Sequence, residues 1–297
     1  MDGVGTFAMA KVLQQYKMMT VLRKHYSIDD WTNAVGEGLN LKYLSVCTGS
    51  AAIWKEDAED YALTKEVLKR WPDIKFITVD VANAYHQNFA DFIARVRDDY
   101  PDKVIIAGNV ITGEMVEELI VKGADIVKCG IGPGSVCITR TMTGVGVPQF
   151  SGVVECADAA HGVGGHIIAD GGCTTPGDVS KAFGAGADFV MLGGMLAAHN
   201  ESELQVNDDG KFVFYGMASE TAMDKYGRKK DGYRGSEGKK VLLDSKGPVD
   251  PTVIEIIGGV RSTCTYIGAR RIKDMPKCAT FVRVNNVVNQ VFSKYNA

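Results

Sequence analysis

The sequence predicts an α/β protein of the (β/α)8 barrel class, with the first barrel strand lying upstream of Met1. Three observations lead there. Apolar runs rich in Val and Ile recur along the 297 residues, and seven of them read as strands. Their hydrophobicity is nearly continuous, as in strands covered on both faces of a parallel sheet. Segments with helix start signals lie between them, and no GxGxxG follows the first strand, as the rival doubly wound fold would require.

Residues 1–16 read as a loop and a helix from Thr6 to Tyr16, with no strand before them. MTVLRKH (19–25) is the first visible strand. In the next segment, SIDDWTNAV, Ser27 and Asp30 have capping-box spacing. LKYLSVCTG (41–49), IKFITVDVAN (74–83) and KVIIAGNV (103–110) follow as strands. ITGEMVEELIVKGAD then reads as a helix with Glu114, Glu117 and Glu118 near its start. The last strands are ADIVKCGIG (124–132), GHIIADGG (165–172) and ADFVMLGG (187–194). Before the final one, Thr175, Pro176 and Asp178 supply a cap, a first-turn proline and a first-turn acid, with Gly184 as the stop.

From about 199 to 250 the pattern changes. NESELQVNDDGKFVFYGM reads as a polar hairpin. MDKYGRKKDGYRGSEGKK has the charged, glycine-rich composition of a mobile flap. PTVIEIIGGVRSTCTYIGARRIKDM returns to helical periodicity. The chain, 1–297, thus reads as one catalytic domain with a hairpin and flap (199–250) inserted after the last barrel strand.

Composition narrows the function. A net charge of −3 leaves no general footprint for nucleic acid. The apolar runs break well before the ~20 residues of a membrane span, and the N-terminus has neither a basic region nor a cleavage site. Seven cysteines are dispersed without CxxC pairing, as in a reducing compartment. The expectation is a cytoplasmic protein without nucleic-acid or membrane partners. The five histidines are isolated in sequence, and no metal-ligand cluster is expected.

Candidate chemistry gathers at strand ends. ADGGC (169–173) and MLGGM (191–195) place paired glycines after the last two strands, where a phosphate could meet bare backbone. The same glycines could simply serve tight turns. GIGPGSVCITR (130–140) places Cys137 in a glycine loop where backbone amides and cations could stabilise a thiolate, with Thr139 near enough to move a proton. A buried, inert thiol is the alternative, and it describes Cys47 and Cys129 inside strand patterns. Asp80 could bond ligand hydroxyls or hold a turn. Lys24 and His25 could meet a phosphate or carboxamide. YRGSEG (233–238) reads either as a functional segment or as a solvated loop.

GIGPGSVCITR, followed by TGVGVPQ, resembles the active-site loop of the IMP dehydrogenase/GMP reductase family. IADGG, MLGGM, FYGM and YRGSEGK follow in the family's order. ITGEMVEELIVKGADIVK, ECADAAHGVGGHI, DGGCTTPGDVSKAFGAGADFVMLGGM and GGVRSTCTYIGA resemble its reductase branch. MTVLRKH runs into SIDDWTNAV with no room for the regulatory domain that dehydrogenases insert there. The flap carries Tyr233–Arg234 and Ser236–Glu237 instead of the dehydrogenase Arg-Tyr pair. Resemblance to the family covers essentially the whole chain, less the opening segment that carries the first strand.

The resemblance implies conversion of GMP to IMP and ammonia with NADPH as hydride donor. It implies Cys137 as nucleophile toward purine C2, with Thr139 and Glu237 as the proton relay. For GMP it implies Ser135, Asp170, Gly171, Gly172, Gly193, Gly194, Gly216, Met217, Ala218, Arg234, Gly235, Ser236 and Gly238. For NADPH it implies Lys24, Asp80, Val81, Ala82, Ile131, Gly132, Tyr233 and Arg234. Ser262, Thr263, Cys264 and Thr265 would serve the cofactor of a neighbouring subunit in a homotetramer. Gly132, Gly134, Cys137 and Arg140 match a loop whose carbonyls hold a monovalent cation such as K+.

The chain departs from the family pattern at several positions. Ile138 stands where Thr is common, Ala84 where Gly is usual beside the cofactor, and Ala218 where Ser is found near the phosphate. RKKDG (228–232) replaces an apolar stretch of the flap. Three other readings stand beside the reductase: a truncated, impaired chain that binds nucleotide or a full-length subunit; an IMP dehydrogenase; and an unrelated phosphate-binding barrel such as a flavin enzyme.

Overall fold

A computed structural model describes residues 1–49, 53, 58–226 and 235–284. Helix α1 (Phe7–Leu13) leads into strand β1 (Thr20–Val21). Then come α2 (Ile28–Gly36), β2 (Leu44–Thr48), α3 (Glu59–Arg70), β3 (Phe76–Asp80) and α4 (Gln87–Asp99). β4 (Val104–Val110), α5 (Gly113–Val121), β5 (Ile126–Cys129), α6 (Thr139–Thr143), α7 (Gln149–Gly162) and β6 (His166–Asp170) follow. The series closes with α8 (Pro176–Gly184) and β7 (Phe189–Met191). All seven strands are parallel and neighbours in chain order. Each strand is shorter than its apolar run, because the run's ends turn into the connecting loops.

Local chemistry explains the helix starts. Ser27 and Asp30 form a reciprocal capping box, and so do Thr175 and Asp178. Thr6 caps α1 by accepting from the Met9 amide at 3.0 Å. The stop of α8 differs from the sequence reading. Gly184 is still helical, and the left-handed turn falls on Gly186 at φ +110° after the cap residue Ala185.

The sheet curls, as its side chains reveal. Ile106, Ile126 and Ile168 form a buried cluster on its inner face. Met19, beside β1, and Met191, in β7, both pack on that cluster. The first and last strands therefore approach one interior, as in a (β/α)8 barrel. Among the described residues β1 and β7 are not hydrogen-bonded to each other, so each keeps an unpaired edge. The larger core lies between the sheet's outer face and the helices, around Trp31, Tyr61, Phe89 and Ile93.

After β7 the chain forms β8 (Phe212–Tyr215), α9 (Glu220–Lys225) and β9 (Lys240–Leu243). The hairpin turn is present, with Asn207 donating to the Lys211 carbonyl at 2.9 Å. The main partner of β8, however, is β9 in antiparallel pairing. α10 (Asp250–Ile267) and α11 (Met275–Cys278) complete the order, and α10 packs on α8 with Gly259 against Pro176. Among the described residues, no helix is long and apolar enough to cross a membrane.

Candidate active site

The loop after β5 is held open by absent side chains. A Cβ on Gly130 would run into the Asp170 carbonyl. Gly132 takes φ +82° with the Arg140 side chain packed against it. This compact path lets Cys137 donate its amide to the Gly134 carbonyl at 3.0 Å.

A distant segment then pairs with the loop. Lys239 donates its amide to the Val136 carbonyl at 2.9 Å, and Ile138 donates to the Glu237 carbonyl at 2.8 Å. Cys137 and Gly238 form an antiparallel bridge. That pairing delivers the Glu237 carboxylate to Thr139, whose hydroxyl donates to Oε2 at 2.7 Å. The Cys137 thiol in turn lies 3.1 Å from the same Thr139 oxygen. A sulfur nucleophile, a hydroxyl and a carboxylate thus stand in line, all half-buried. Such a chain can take a proton from the thiol or deliver one to a leaving group.

Beside it lies a charged centre. Lys128, in β5, is 3% exposed. It pairs with Asp80 at the end of β3, and with Asp170 at the end of β6 at 3.2 Å. Burial would lower the lysine, but the two carboxylates outweigh it and hold its pKa above the ordinary value. Burial likewise works to raise Asp80, and Lys128 overcomes it, keeping the carboxyl below its usual range. Asn109 donates to Asp170 at 2.9 Å and to the Gly130 carbonyl at 3.0 Å. Gln149 reaches the Cys129 carbonyl at 2.9 Å. Sequence reasoning does not find Lys128, Asn109 or Gln149. One signal was available: a lysine inside an otherwise apolar strand needs acidic partners.

Thr139, Asp170, Gly193, Met217, Ala218, Gly235 and Glu237 line one cavity of about 2350 Å³ together with Lys24, Asp80, Val81, Ala82 and Ile131. Its size exceeds the roughly 300–1,000 Å³ of an ordinary ligand pocket, because it continues past Ile106 and Ile168 into the barrel interior. Ser135 meets the paired glycines: a Cβ on Gly194 would sit 3.0 Å from its Oγ. Gly216 would collide with the Val136 carbonyl at 2.9 Å if it had a side chain. Gly171 and Gly172 both adopt positive φ, at +94° and +84°. Ser236 bonds the Gly238 carbonyl at 3.1 Å. Lys24 is tied to Asp60 at 3.3 Å.

Other expected site residues lie apart. Ser262, Thr263, Cys264 and Thr265 sit on α10, outside that cavity's lining, with Thr263 bonded to Ser180 at 2.9 Å. Tyr233 and Arg234 fall outside the described residues, as does the RKKDG stretch. The Ala84 methyl is fully buried in the main core and does not line the cavity. Arg140 is exposed, and its backbone carbonyl accepts from the Gly144 amide at 3.0 Å. Burial pushes the Cys47 thiol up to about 12 and Cys173 to about 11, which suits inert thiols. The expectation of no ligand cluster is corrected: His161, His166 and Asp188 converge at the opposite end of the strands.

A family model described as the IMP dehydrogenase / GMP reductase domain matches residues 1–290. A GMP reductase of Aeromonas hydrophila is 54% identical over 299 residues, covering 99% of this chain and 84% of the relative. One from Edwardsiella ictaluri is 54% identical over 300 residues, and one from Vibrio cholerae 53% over 299, with the same coverage. The chain belongs to the IMP dehydrogenase/GMP reductase family.

Proposed function

We propose that this chain is a GMP reductase, converting GMP, NADPH and two protons to IMP, NADP+ and ammonium. The hydrogen-bonded line from Cys137 through Thr139 to Glu237 carries the reading. Cys137 Sγ attacks purine C2 as its proton passes toward Glu237. Thr139 and Glu237 return a proton to the exocyclic amine, which leaves as ammonia, with C2 held as a thioimidate. When bound, NADPH supplies the hydride to C2, and expulsion of the Cys137 thiolate yields IMP. Covalent capture divides one hard displacement into two easier ones. Water has to be kept out, since hydrolysis at C2 would give XMP, and closure of the strand-end loops around Glu237 serves that purpose.

The surrounding residues suit these ligands. Ser135, Gly193, Gly194 and Gly216 to Ala218 offer hydroxyl and bare backbone to the phosphate, with Gly235, Ser236 and Gly238 beside them. Asp170, Gly171 and Gly172 face the ribose. Lys24, Asp80, Val81, Ala82, Ile131 and Gly132 belong to the cofactor. The fit is supported by charged Lys24 and Asp80 opening on the same cavity as the nucleotide residues. Tyr233 completes the cofactor set, and Arg234 belongs to both. Ser262 to Thr265 reach a neighbouring subunit's cofactor in a homotetramer. Carbonyls of Gly132, Gly134, Cys137 and Arg140 hold a monovalent cation. We place the enzyme in the cytoplasm, in purine salvage.

That β1 and β7 do not pair among the described residues favours a second reading, in which the chain binds nucleotide or another subunit without turning over. One assay decides. Purified chain with GMP and NADPH should lose cofactor absorbance in step with IMP and ammonia, and Cys137→Ala should abolish all three. Nucleotide binding without turnover supports the second reading. Activity on IMP with NAD alone would replace both.

A further inference from the structure

The N-terminal ends of β6 and β7 hold a donor set that the reaction does not use. His161 lies in the last turn of α7, and His166 opens β6. The turn between them is tightly built: Gly164 takes φ +80°, and the Gly165 amide bonds the Ala160 carbonyl at 2.8 Å. Two imidazoles five positions apart are thereby turned toward one carboxylate. His161 Nε2 lies 3.0 Å from Asp188 Oδ2, and His166 Nδ1 lies 3.2 Å from Asp188 Oδ1. Asp188 is itself fixed, since the Ile167 amide donates to its Oδ2 at 2.9 Å. Three donors on rigid backbone lie within 4.8 Å of one another.

We propose that His161, His166 and Asp188 bind one divalent transition cation of the zinc class. Two imidazole nitrogens and a carboxylate oxygen suit Zn, Ni, Cu or Co, whereas Mg and Ca prefer all-oxygen sets. Donors on tetrahedral zinc stand about 3.3 Å apart. Both imidazoles are solvent-exposed and close the difference by side-chain rotation. The cation displaces the proton shared between His161 and Asp188, and water fills its remaining positions. The carboxylate's bond from Ile167 acts as the outer support that orients a ligand.

His161 and Asp188 line the far end of the same cavity, well away from the relay. Asp170 ends the strand that His166 begins, about 13 Å away at the usual rise per residue. The site's effect is mechanical instead. Among the described residues β7 pairs only with β6 within the sheet. A cation bridging the end of α7, the start of β6 and the residue before β7 fastens that edge strand.

The test uses the full chain after chelator treatment. Titration with Co2+ should give one equivalent bound, with the weak visible bands of nitrogen and oxygen ligands and no strong thiolate charge-transfer band. Zn2+ should raise the melting temperature and slow amide exchange in 189–191. The double variant His161→Gln, His166→Gln should weaken binding by at least the roughly tenfold typical of losing even an outer-shell partner, and should abolish the melting shift. No saturable binding, a thiolate spectrum, or unchanged binding in the double variant would overturn the site. The wild-type spectrum decides even if the variant folds poorly. Turnover enters none of these readouts, so the site stands or falls apart from the proposed reaction.

Discussion

Two cations at opposite ends of the sheet show what placement does to charge. At the N-terminal end, Arg97 reaches the carbonyls of Gly123 at 3.0 Å, Pro101 at 3.0 Å and Lys103 at 2.9 Å, and the Asp125 carboxylate at 2.5 Å. Asp125 also accepts the Ile105 amide at 2.7 Å. Every one of those partners is backbone, or is bonded to backbone, so the guanidinium fixes loops. At the C-terminal end, the Lys128 ammonium pairs, among the described residues, with the side chains of Asp80 and Asp170, and both carboxylates line the cavity. The lesson is that a cation meeting carbonyls holds the fold, while one meeting carboxylates at a cavity wall leaves acceptors for a ligand. Barrels divide labour this way, with chemistry at the C-terminal face and stability at the other.

The largest effect is expected at the relay. Glu237→Gln keeps a hydrogen-bond acceptor for Thr139 but cannot exchange a proton. It should lower kcat by roughly 10²–10⁴-fold with the melting temperature little changed. A kcat within threefold of wild type would remove Glu237 from the proton path.

Lys128→Met comes next and probes the cation that serves the cavity. It should lower kcat/KM by about tenfold to a hundredfold through misplaced carboxylates. The pH dependence has a definite sign. Asp80 sits below the ordinary carboxylate range, so its favourable charge is present above that range and is lost as pH falls through the depressed value. Lys128 sits above its ordinary value, so its contribution is lost only as pH rises past it. Without the lysine the cost of desolvating Asp80 is no longer opposed, and the acid limb of the kcat/KM profile should move to higher pH. An unshifted acid limb would separate Asp80 from the titrating event.

Arg97→Met should have the smallest effect on turnover, under about twofold. It should nonetheless cost about 1–3 kcal/mol in denaturant unfolding, because half-buried carbonyls lose their donor. A large fall in kcat with stability intact would erase the contrast between the two ends.

How far the sequence could be read follows from the range of each interaction. Strand runs and both capping boxes were legible, because Ser27–Asp30 and Thr175–Asp178 act over three residues. Cys137 and Thr139 were legible as neighbours in a glycine loop. Their connection to Glu237 came from resemblance, since 98 residues separate Thr139 from Glu237 and pattern reading has no term for that pairing. The β8–β9 ladder was hidden for the same reason. So was the knot at Asp2, which accepts from Tyr215 at 2.6 Å and from Lys225 at 3.0 Å. His161 and His166 looked isolated because Asp188, which joins them, lies 22 residues beyond His166, just before the next strand.

The glycine at position 130 has a genetic consequence. Its α-carbon faces the Asp170 carbonyl with no space for a further atom, and the backbone there cannot shift without moving β6. Every single-base missense change in a glycine codon introduces a Cβ. No one-step substitution at this codon is therefore mild, and selection in a culture that depends on this enzyme should leave position 130 unvaried in a saturation library. Exposed Gly144, whose added Cβ would meet nothing within 4 Å but whose φ is +72°, should admit Asn and Asp.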